Sequence, residues 1–323
     1  MKKIIILGDL FLDILPTTFP IKKDFILYDG ETFVENVTFQ RGGCAGNFAA
    51  VLSNLLPNNE IIFISKAGND LNSEFLLNQL KSYGLKCFIS KSNLGTPITI
   101  AISYTDGQRH FITYNGAMDD FSIEDLDYNL FENTEHLAWR GIWFTPKLLQ
   151  NAEKFLSYAK SNNITTSMDL GFDPYWASSD ISKETIEKRK KYALNALKFI
   201  DYLFGNEQEV LNLTSETNLN KSIDKLLNFK VKNIIIHLGE KGAMIIQSNN
   251  EEIIIPPIKP SKIINPVGTG DTFDAAFISQ ILDNKDLKFA GKFAAAAASY
   301  SLENKAGTKV TVNKINEIIL KSN

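Results

Sequence analysis

The sequence predicts an α/β fold in which a mainly parallel sheet is flanked by helices and carries a small additional β-layer. Short apolar runs alternate with amphipathic helical segments, a rhythm typical of parallel sheets with crossover helices. The apolar runs are continuous rather than alternating, which indicates strands covered on both faces. Residues 14–40 and 96–115 interrupt this rhythm and predict the additional layer.

The strand predictions follow the apolar runs along the chain. Six runs predict buried strands, namely residues 4–7, 61–64, 137–144, 165–170, 202–204 and 234–238. Residues 242–247 and 251–256 then predict an antiparallel edge around Asn249 and Asn250. Within the additional layer, residues 96–114 alternate and predict a hairpin that turns at Asp106 and Gly107.

Helices are predicted between the strands and at the end of the chain. The amphipathic segments are residues 45–56, 73–83, 147–161, 183–197, 219–229, 272–282, 287–303 and 312–320. Gly84 is expected to end the second of these as its C′ residue. The predicted organisation is a large α/β domain over 1–13, 41–95 and 116–323, with a β-sheet lid over 14–40 and 96–115.

Composition and charge exclude several classes of protein. The 323 residues contain 44% hydrophobic residues, enough for a large core. The 34 basic and 37 acidic residues leave a net charge of −3, so neither nucleic acid nor a membrane is expected as a partner. The two cysteines, Cys44 and Cys87, exclude a disulfide scaffold and favour a cytoplasmic location.

The sharpest chemical motif is Gly268-Thr269-Gly270-Asp271, which leads into a predicted helix. Glycines allow close backbone approach, and amides at a helix N-terminus favour an anion such as phosphate. A carboxylate at this place has a use if it accepts a proton from an attacking hydroxyl. The alternative is that Asp271 is an ordinary helix N-cap. No Walker-A, GxGxxG, protein-kinase or GxSxG motif is present.

A second motif, Gly42-Gly43 followed by Asn47, also precedes a predicted helix. The glycine amides and the Asn47 side chain suit a sugar hydroxyl, although tight helix–sheet packing explains the glycines equally well.

Two further motifs lie at the ends of later strands. Asn206 and Glu209 form either a helix capping box or a site for a magnesium-bound water. The segment from His237 through Gly239 to Gly242 is either a plain hairpin or a loop that accommodates a nucleotide.

Taken in order, these motifs resemble the ribokinase-like (PfkB) carbohydrate kinase family over nearly the whole chain. The matching pieces are Gly8-Asp9…Asp13, Gly42-Gly43…Asn47-x-Ala49, Arg109…Tyr114-x-Gly116-Ala117, Asn206-x-x-Glu209, Leu238-Gly239-Glu240-Lys241-Gly242 and Gly268-x-Gly270-Asp271. The resemblance implies a Rossmann-like α/β domain with a β-sheet lid that often mediates dimerisation. It also implies transfer of the γ-phosphate of ATP to a hydroxyl, usually the CH₂OH of a sugar or nucleoside.

Carried over, the resemblance gives each motif a role. Asp271 would be the general base, and the amides of Gly268, Thr269 and Gly270 would form the anion hole. Glu209 would organise Mg²⁺ through water. The remaining roles would be sugar binding by Asp13, Gly42, Gly43, Asn47 and Arg109, and nucleotide binding by Asn206, His237, Gly239 and Gly242. Selectivity is expected from lid side chains such as Phe11, Phe25, Tyr28, Phe33 and Ile100.

The sequence departs from the family pattern at two places. Asn265 replaces the Asp that many members associate with a K⁺ site, so K⁺ activation is not expected. Asp169-Leu170-Gly171-Phe172-Asp173 is similar to an Asp-x-Asn-x-Arg segment of one branch, but Gly171 and Asp173 replace its Asn and Arg. The predicted acceptor is a free sugar such as ribose or fructose, and a nucleoside is the first alternative. A sugar- or nucleotide-sensing protein without catalysis is the other alternative.

Overall fold

The structure is a computed structural model that describes residues 1–17, 31, 33–104, 109–264, 266–304 and 309–321. The strands are β1 (Lys3–Gly8), β2 (Phe11–Pro16), β3 (Val37–Gly42), β4 (Glu60–Gly68), β5 (Lys86–Ser92), β6 (Ile98–Ser103), β7 (Arg109–Tyr114), β8 (His136–Arg140), β9 (Thr165–Asp169), β10 (Tyr202–Asn206), β11 (Asn233–His237), β12 (Ala243–Gln247) and β13 (Glu252–Ile255). The helices are α1 (Cys44–Leu55), α2 (Leu71–Ser82), α3 (Pro146–Gln150), α4 (Ala152–Ser161), α5 (Lys183–Ala196), α6 (Glu207–Thr214), α7 (Leu219–Asn228), α8 (Thr269–Leu282), α9 (Leu287–Leu302) and α10 (Val312–Lys321).

Nine strands form the large sheet, in the order β13-β12-β11-β10-β9-β8-β1-β4-β5. All neighbours from β11 to β5 are parallel, whereas β12 and β13 are antiparallel additions at one edge. This arrangement confirms the predicted mainly parallel sheet and its antiparallel edge. None of the helices in the described ranges combines the length and apolar character that a membrane crossing requires.

Helices cover both faces of the large sheet, and strand β1 shows why its apolar run is continuous. Ile5 and Leu7 pack into a core cluster with α4, α5 and α7, whereas Ile4 and Ile6 pack into a second cluster with α1, α8 and α9. All four side chains are fully buried. Each contributes about 1.5–3 kcal/mol of burial free energy, so neither face tolerates a polar residue.

Two predicted elements differ from the structure. The run at residues 137–144 was expected as one strand, but β8 ends at Arg140 and residues Ile142–Phe144 form a 3₁₀ turn. Gly141 makes this change of direction at φ 64°, and a Cβ there would lie 2.1 Å from the Asp9 carboxyl carbon. The helix expected over residues 147–161 is likewise two helices, α3 and α4, which meet at Asn151.

The small sheet has the order β3-β2-β6-β7, in which β2 and β6 are parallel and the other pairs antiparallel. The antiparallel pairing of β6 with β7 confirms the predicted hairpin strands, but its turn at Asp106 and Gly107 lies outside the described residues. Strand β2 begins two residues after Asp9, and β3 ends at the residue before the N-cap of α1. The small sheet therefore joins the large domain beside the start of α1.

Candidate active site

Polar side chains gather at the carboxyl edge of the large sheet, where the parallel strands end together. Asp9 follows β1, and Arg140, Asp169, Asn206 and His237 are the last residues of β8, β9, β10 and β11. Ligands of open α/β sheets bind at this edge. The N-terminal half of α8 lies at this edge, because Asp274 contacts both Arg140 and His237.

Helix α8 begins without a side-chain cap. Its N-cap is Gly268, which adopts a left-handed conformation at φ 75°, and the Thr272 amide donates to the Gly268 carbonyl. The interpretation of Asp271 as the N-cap is therefore wrong, because Asp271 is the third residue of the helix. Amides in a first helical turn lack intrahelical acceptors and carry the positive end of the dipole. The predicted set of Gly268, Thr269 and Gly270, together with Asp271, supplies the first four amides of α8, and these are therefore suited to an anion.

Asp271 is held by a direct hydrogen bond and lies among other charges. Asn47 Nδ2 donates to Asp271 Oδ2 over 2.9 Å. Burial raises the pKa of Asp271 to about 7, and Asp274 and Asp9 act in the same direction, against the Asn47 hydrogen bond and Arg140. A carboxylate with a pKa near neutrality is well matched to proton transfer.

Two further groups lie close to Asp271. The Cys44 sulfur and carboxylate oxygens of Asp169 and Asp271 all lie within 4.8 Å of one another. Burial and the neighbouring carboxylates raise the pKa of both Cys44 and Asp169 well above their usual ranges. A thiol is a poor ligand for Mg²⁺, which takes oxygen donors, so this trio is better described as a proton-retaining pocket beside the base.

His237 lies beside the first turn of α8. Its Nε2 is 2.9 Å from Asp274 Oδ1, with the geometry of an ion pair rather than of an aligned hydrogen bond. Burial lowers the pKa of His237, but Asp274 and Glu209 outweigh it and leave a net rise. Its Nδ1 lies 3.9 Å from the position of a Cβ on Gly270. The imidazole therefore faces the glycine turn that leads into α8.

Arg140 is the fixed positive charge of this edge. The side chain is fully buried, with its guanidinium 4.3 Å from the Phe48 ring centre and 3.9 Å from Asp274 Oδ2. Its Nη2 donates to Ser167 Oγ over 3.2 Å. Arg140 lowers the pKa of both Asp169 and Asp271, and thus limits the mutual repulsion of the carboxylates.

Asp13, Gly42 and Gly43 lie together where the small sheet meets the start of α1, and we call this group the Asp13 wall. Asp13 is buried, and burial raises its pKa to about 7 although Arg41 opposes this. A Cβ on Gly42 would lie 2.1 Å from the Asp13 carboxyl carbon, so this wall requires glycine. Gly43, at φ 85°, is the N-cap of α1, and Asp9 accepts hydrogen bonds from the amides that follow it. The packing and the binding interpretations of the glycines are thus compatible.

Asn206 and Glu209 form the reciprocal capping box at the start of α6. Asn206 Oδ1 accepts from the Glu209 amide over 2.9 Å, and Glu209 Oε2 accepts from the Asn206 amide over 2.8 Å. Burial raises the pKa of Glu209. Because the cap occupies Oε2, Oε1 is the oxygen that can hold a metal-bound water.

A largely apolar cavity of about 630 Å³ adjoins the start of α8. Gly239, Gly242, Pro266, Thr269 and Phe273 are among its lining residues. Gly239 has open space where a side chain would be, whereas a Cβ on Gly242 would lie 2.1 Å from the Ile255 carbonyl. Gly239 therefore borders the cavity freely, and Gly242 is required for packing against β13.

The loop after β9 departs from the related Asp-x-Asn-x-Arg segment in a way that the structure explains. Asp173 is fully buried, with Oδ2 2.9 Å from Arg189 Nε and Oδ1 3.1 Å from Arg189 Nη2. Arg189 also donates to the Trp143 carbonyl. The position that carries Arg in that branch is here an acid with its own internal cation.

Some predicted residues cannot be placed, and some important ones were not predicted. Asn265, Phe25, Tyr28 and the side chain of Arg109 lie outside the description, whereas Phe33 is almost fully exposed. Sequence reasoning did not assign roles to Asp9, Arg41, Arg140, Asp169 and Asp274. A signal existed for two of them, because Asp169 ends a predicted strand and Asp274 lies three residues after Asp271 in a predicted helix.

Comparison with known proteins identifies the family. The model of the pfkB family of carbohydrate kinases matches residues 2–313. The chain belongs to this family. As a pfkB family member it is a carbohydrate or nucleoside kinase, a phosphotransferase that acts on a sugar hydroxyl.

Relatives of this pfkB family protein differ in their substrates. It is 25% identical to a 5-dehydro-2-deoxygluconokinase of Clostridium botulinum, over 88% of this chain and 86% of that one. It is 27% identical to a nucleoside kinase of Methanocaldococcus jannaschii, over 82% and 80%. An Escherichia coli ribokinase II solved with ATP and Mg²⁺ superposes with a TM-score of 0.82 at 20% identity, covering 99% of this chain and all of that one.

Proposed function

We propose that this protein transfers the γ-phosphate of ATP to a hydroxyl of a free sugar such as ribose or fructose, most naturally the CH₂OH group. One observation carries the proposal: Asp271 belongs to the uncapped first turn of α8, the turn whose amides are suited to phosphate. A base and an anion-binding cradle at one place are what transfer of a phosphoryl group to an alcohol requires.

The acceptor is assigned to the Asp13 wall (Asp13, Gly42 and Gly43) together with Asn47. The buried Asp13 carboxylate and the Asn47 amide offer hydrogen bonds to sugar hydroxyls, and Asp13 itself belongs to β2 of the small sheet. Closure of the small sheet over a bound sugar would exclude water and so direct the phosphoryl group to the sugar. Arg109, on β7 of the same sheet, stays a candidate for a further contact.

The nucleotide is assigned to the cavity next to α8. Its apolar lining suits an adenine base, and Asn206, His237, Gly239 and Gly242 lie on the strand ends and loop between that cavity and the acid cluster. Glu209 Oε1 would hold Mg²⁺ through water. When bound, Mg²⁺ neutralises charge on the phosphates. The E. coli ribokinase II structure with ATP and Mg²⁺ supports this choice of cofactors.

Each group at the start of α8 has its own role in the proposed reaction. The amides of Gly268, Thr269 and Gly270 stabilise the charge of the transferring group. Asp271 accepts the proton of the acceptor hydroxyl as the new P–O bond forms, when the hydroxyl has become acidic. Arg140 and the Asn47 hydrogen bond favour the ionised form of Asp271, so it can act as a base near neutral pH.

ADP release with a panel of acceptors tests the proposal. Hexoses, pentoses, keto-sugar acids and nucleosides are each offered with ATP and Mg²⁺, and D271N is the control. Acceptor-dependent ADP release that D271N abolishes supports the proposal if the acceptor is a free sugar. A nucleoside as the preferred acceptor would favour the alternative that the M. jannaschii relative suggests. Ligand binding without ADP release from any acceptor would indicate a sensing protein and overturn the proposal.

We also propose a cytoplasmic location and a homodimer formed through the small sheet. Both cysteines are free, as expected in a reducing compartment. One row across the sheet, formed by Phe39, Ile14, Ile100 and Ile112, is apolar in all four strands. Phe39 is 53% and Ile112 is 46% exposed, so a second copy would remove apolar surface from water.

A further inference from the structure

Arg41, Asn47 and Asp271 form one continuous chain of hydrogen bonds. Arg41 Nη1 donates to Asn47 Oδ1 over 2.7 Å, and Asn47 Nδ2 donates to Asp271 Oδ2 over 2.9 Å. The two ends of this chain fix the direction of the Asn47 amide. Its oxygen faces a group that can only donate, and its nitrogen faces one that, when ionised, can only accept. A rotated amide would lose both bonds.

Arg41 is itself held firmly in place. Its backbone amide donates to Gln79 Oε1 over 2.9 Å, and its guanidinium lies 5.6 Å from the centre of the Tyr83 ring. Only 9% of the residue is exposed. Gly46 lies beside this side chain, since a Cβ there would be in ordinary van der Waals contact with Arg41 Cγ at 3.4 Å and Nη1 at 3.5 Å. The guanidinium is therefore a fixed donor rather than a mobile surface charge.

We propose that Arg41 is a positioning residue for the catalytic base, and that it acts on Asp271 through Asn47. The proposal rests on the proposed role of Asp271 and goes beyond it, because the hydrogen bonds of Arg41 reach Asp271 through Asn47. The same hydrogen bonds give the two N–H groups of the Asn47 amide different roles. One N–H of its amide is committed to Asp271, so only the other is available to the acceptor.

A neutral side chain at position 41 would release the Asn47 oxygen. Asn47 could then rotate, and Asp271 would lose a donor that favours its ionised form. The charges of Asp9, Asp274 and Arg140 on Asp271 would be unchanged, whereas the direct attraction of the Arg41 charge to Asp271 and Asp13 would be lost as well. The loss would therefore appear in the protonation and orientation of the base, and not in the binding of the nucleotide.

A double-mutant cycle separates this role from a merely structural one. R41M is expected to lower kcat about tenfold in the wild-type background, at unchanged KM for ATP, and less than twofold in the N47A background. R189M is the matched control, since Arg189 is also a buried guanidinium beside aromatic rings. It should change kcat by the same factor in both backgrounds. Equal factors for R41M in the two backgrounds would overturn the proposal.

A second readout needs no substrate. ¹³C NMR of the Asp271 carboxyl in the free protein follows its titration directly. R41M and N47A should each raise the pKa of Asp271 by about one unit, and the double variant should raise it by less than the sum of the two single shifts. An unshifted titration in R41M, or shifts that add, would overturn the proposal even if no acceptor were found. If R41M unfolds, R41Q serves instead, because its shorter amide cannot reproduce the guanidinium contact.

Discussion

Asp13 and Gly42 lie in contact on the neighbouring strands β2 and β3. The Asp13 carboxyl group occupies the space that a side chain at position 42 would fill. A Cβ on Gly42 would approach the Asp13 carboxyl carbon and both of its oxygens to 2.1–2.2 Å. Phe11 pairs with Gly42 and Asp13 pairs with Gln40, so Asp13 and Gly42 are diagonal neighbours on one face of the sheet. The absence of a side chain at position 42 thus determines where the proposed sugar-binding acid lies.

Substitution of Gly42 by Ala tests this relationship. The new methyl group would displace the Asp13 carboxylate, and misplacement of about 1 Å costs up to about 100-fold in rate. We expect G42A to raise the KM for the acceptor about 10- to 100-fold and to leave the KM for ATP within twofold. T38A, an exposed change on the same strand, is the control. An unaltered acceptor KM in G42A would contradict the assignment of the Asp13 wall.

Replacement of Asp271 by Asn should separate chemistry from folding. The amide cannot accept a proton, and loss of a general base costs about 10²–10⁴-fold. We expect kcat to fall by this factor while circular dichroism spectra and the binding of ATP are retained. Rates close to wild type would show that another group takes the proton.

The same substitution should change how stability depends on pH. Burial raises the pKa of Asp271 from 3.8 to about 7, so the native state binds its proton more tightly than the unfolded state. Below pH 4 this group has no effect; as the pH rises from 4 to 7, only the unfolded chain ionises, and stability falls. At about 1.4 kcal/mol per unit the loss is at most about 4 kcal/mol.

Thermal unfolding measured against pH checks that sign. D271N and the wild type should have the same Tm at pH 4, and D271N should have the higher Tm at pH 8. A wild type that is more stable than D271N at pH 8 would mean that the ionised carboxylate is stabilised in the fold. Asp13, whose pKa burial also raises to about 7, should behave alike in D13N.

The Asp173–Arg189 pair is expected to contribute to folding rather than to turnover. D173N leaves the Arg189 guanidinium buried without its counter-ion, which costs about 3–5 kcal/mol. The comparison is K198Q, because the Lys198–Glu153 pair is about half exposed at both ends and contributes about 0–1 kcal/mol. Urea unfolding of both variants gives the two values, and similar losses would contradict the structural role of Asp173.

Oligomeric state can be tested on the exposed row of the small sheet. F39D and I112D place charges where a partner sheet would pack, and both positions are exposed enough to leave the fold intact. Sedimentation should show a dimer for the wild type and a monomer for each variant. F88D, on the exposed edge strand β5, controls for the charge itself and should stay dimeric. A monomeric wild type would end the dimer proposal.

Short sequence patterns predicted the secondary-structure elements whose formation depends on neighbouring residues in the chain. The parallel sheet followed from continuous apolar runs such as that of β1. The two glycines before a helical pattern predicted a helix from Thr272, but α8 begins three residues earlier, at Thr269. The same reasoning misjudged residues 142–144, because periodicity cannot distinguish a buried strand from a buried 3₁₀ turn. The pairs Asn47–Asp271 and Arg140–Asp274 join residues far apart in the chain, so no local pattern could reveal them. The contact between Asp13 and Gly42 could not be predicted either, because it depends on the register in which β2 pairs with β3.

Asp9 joins three parts of the molecule at one carboxyl group. It accepts from the first amides of α1, it faces Gly141 where β8 turns away, and the chain enters the small sheet two residues later. Strand β3 returns from that sheet to Gly42, only two residues before the same amides. Two of the four chain crossings between the sheets, those before β2 and after β3, are therefore anchored at one carboxyl group. The loss of this carboxyl group would loosen the start of α1 and the junction with the small sheet together.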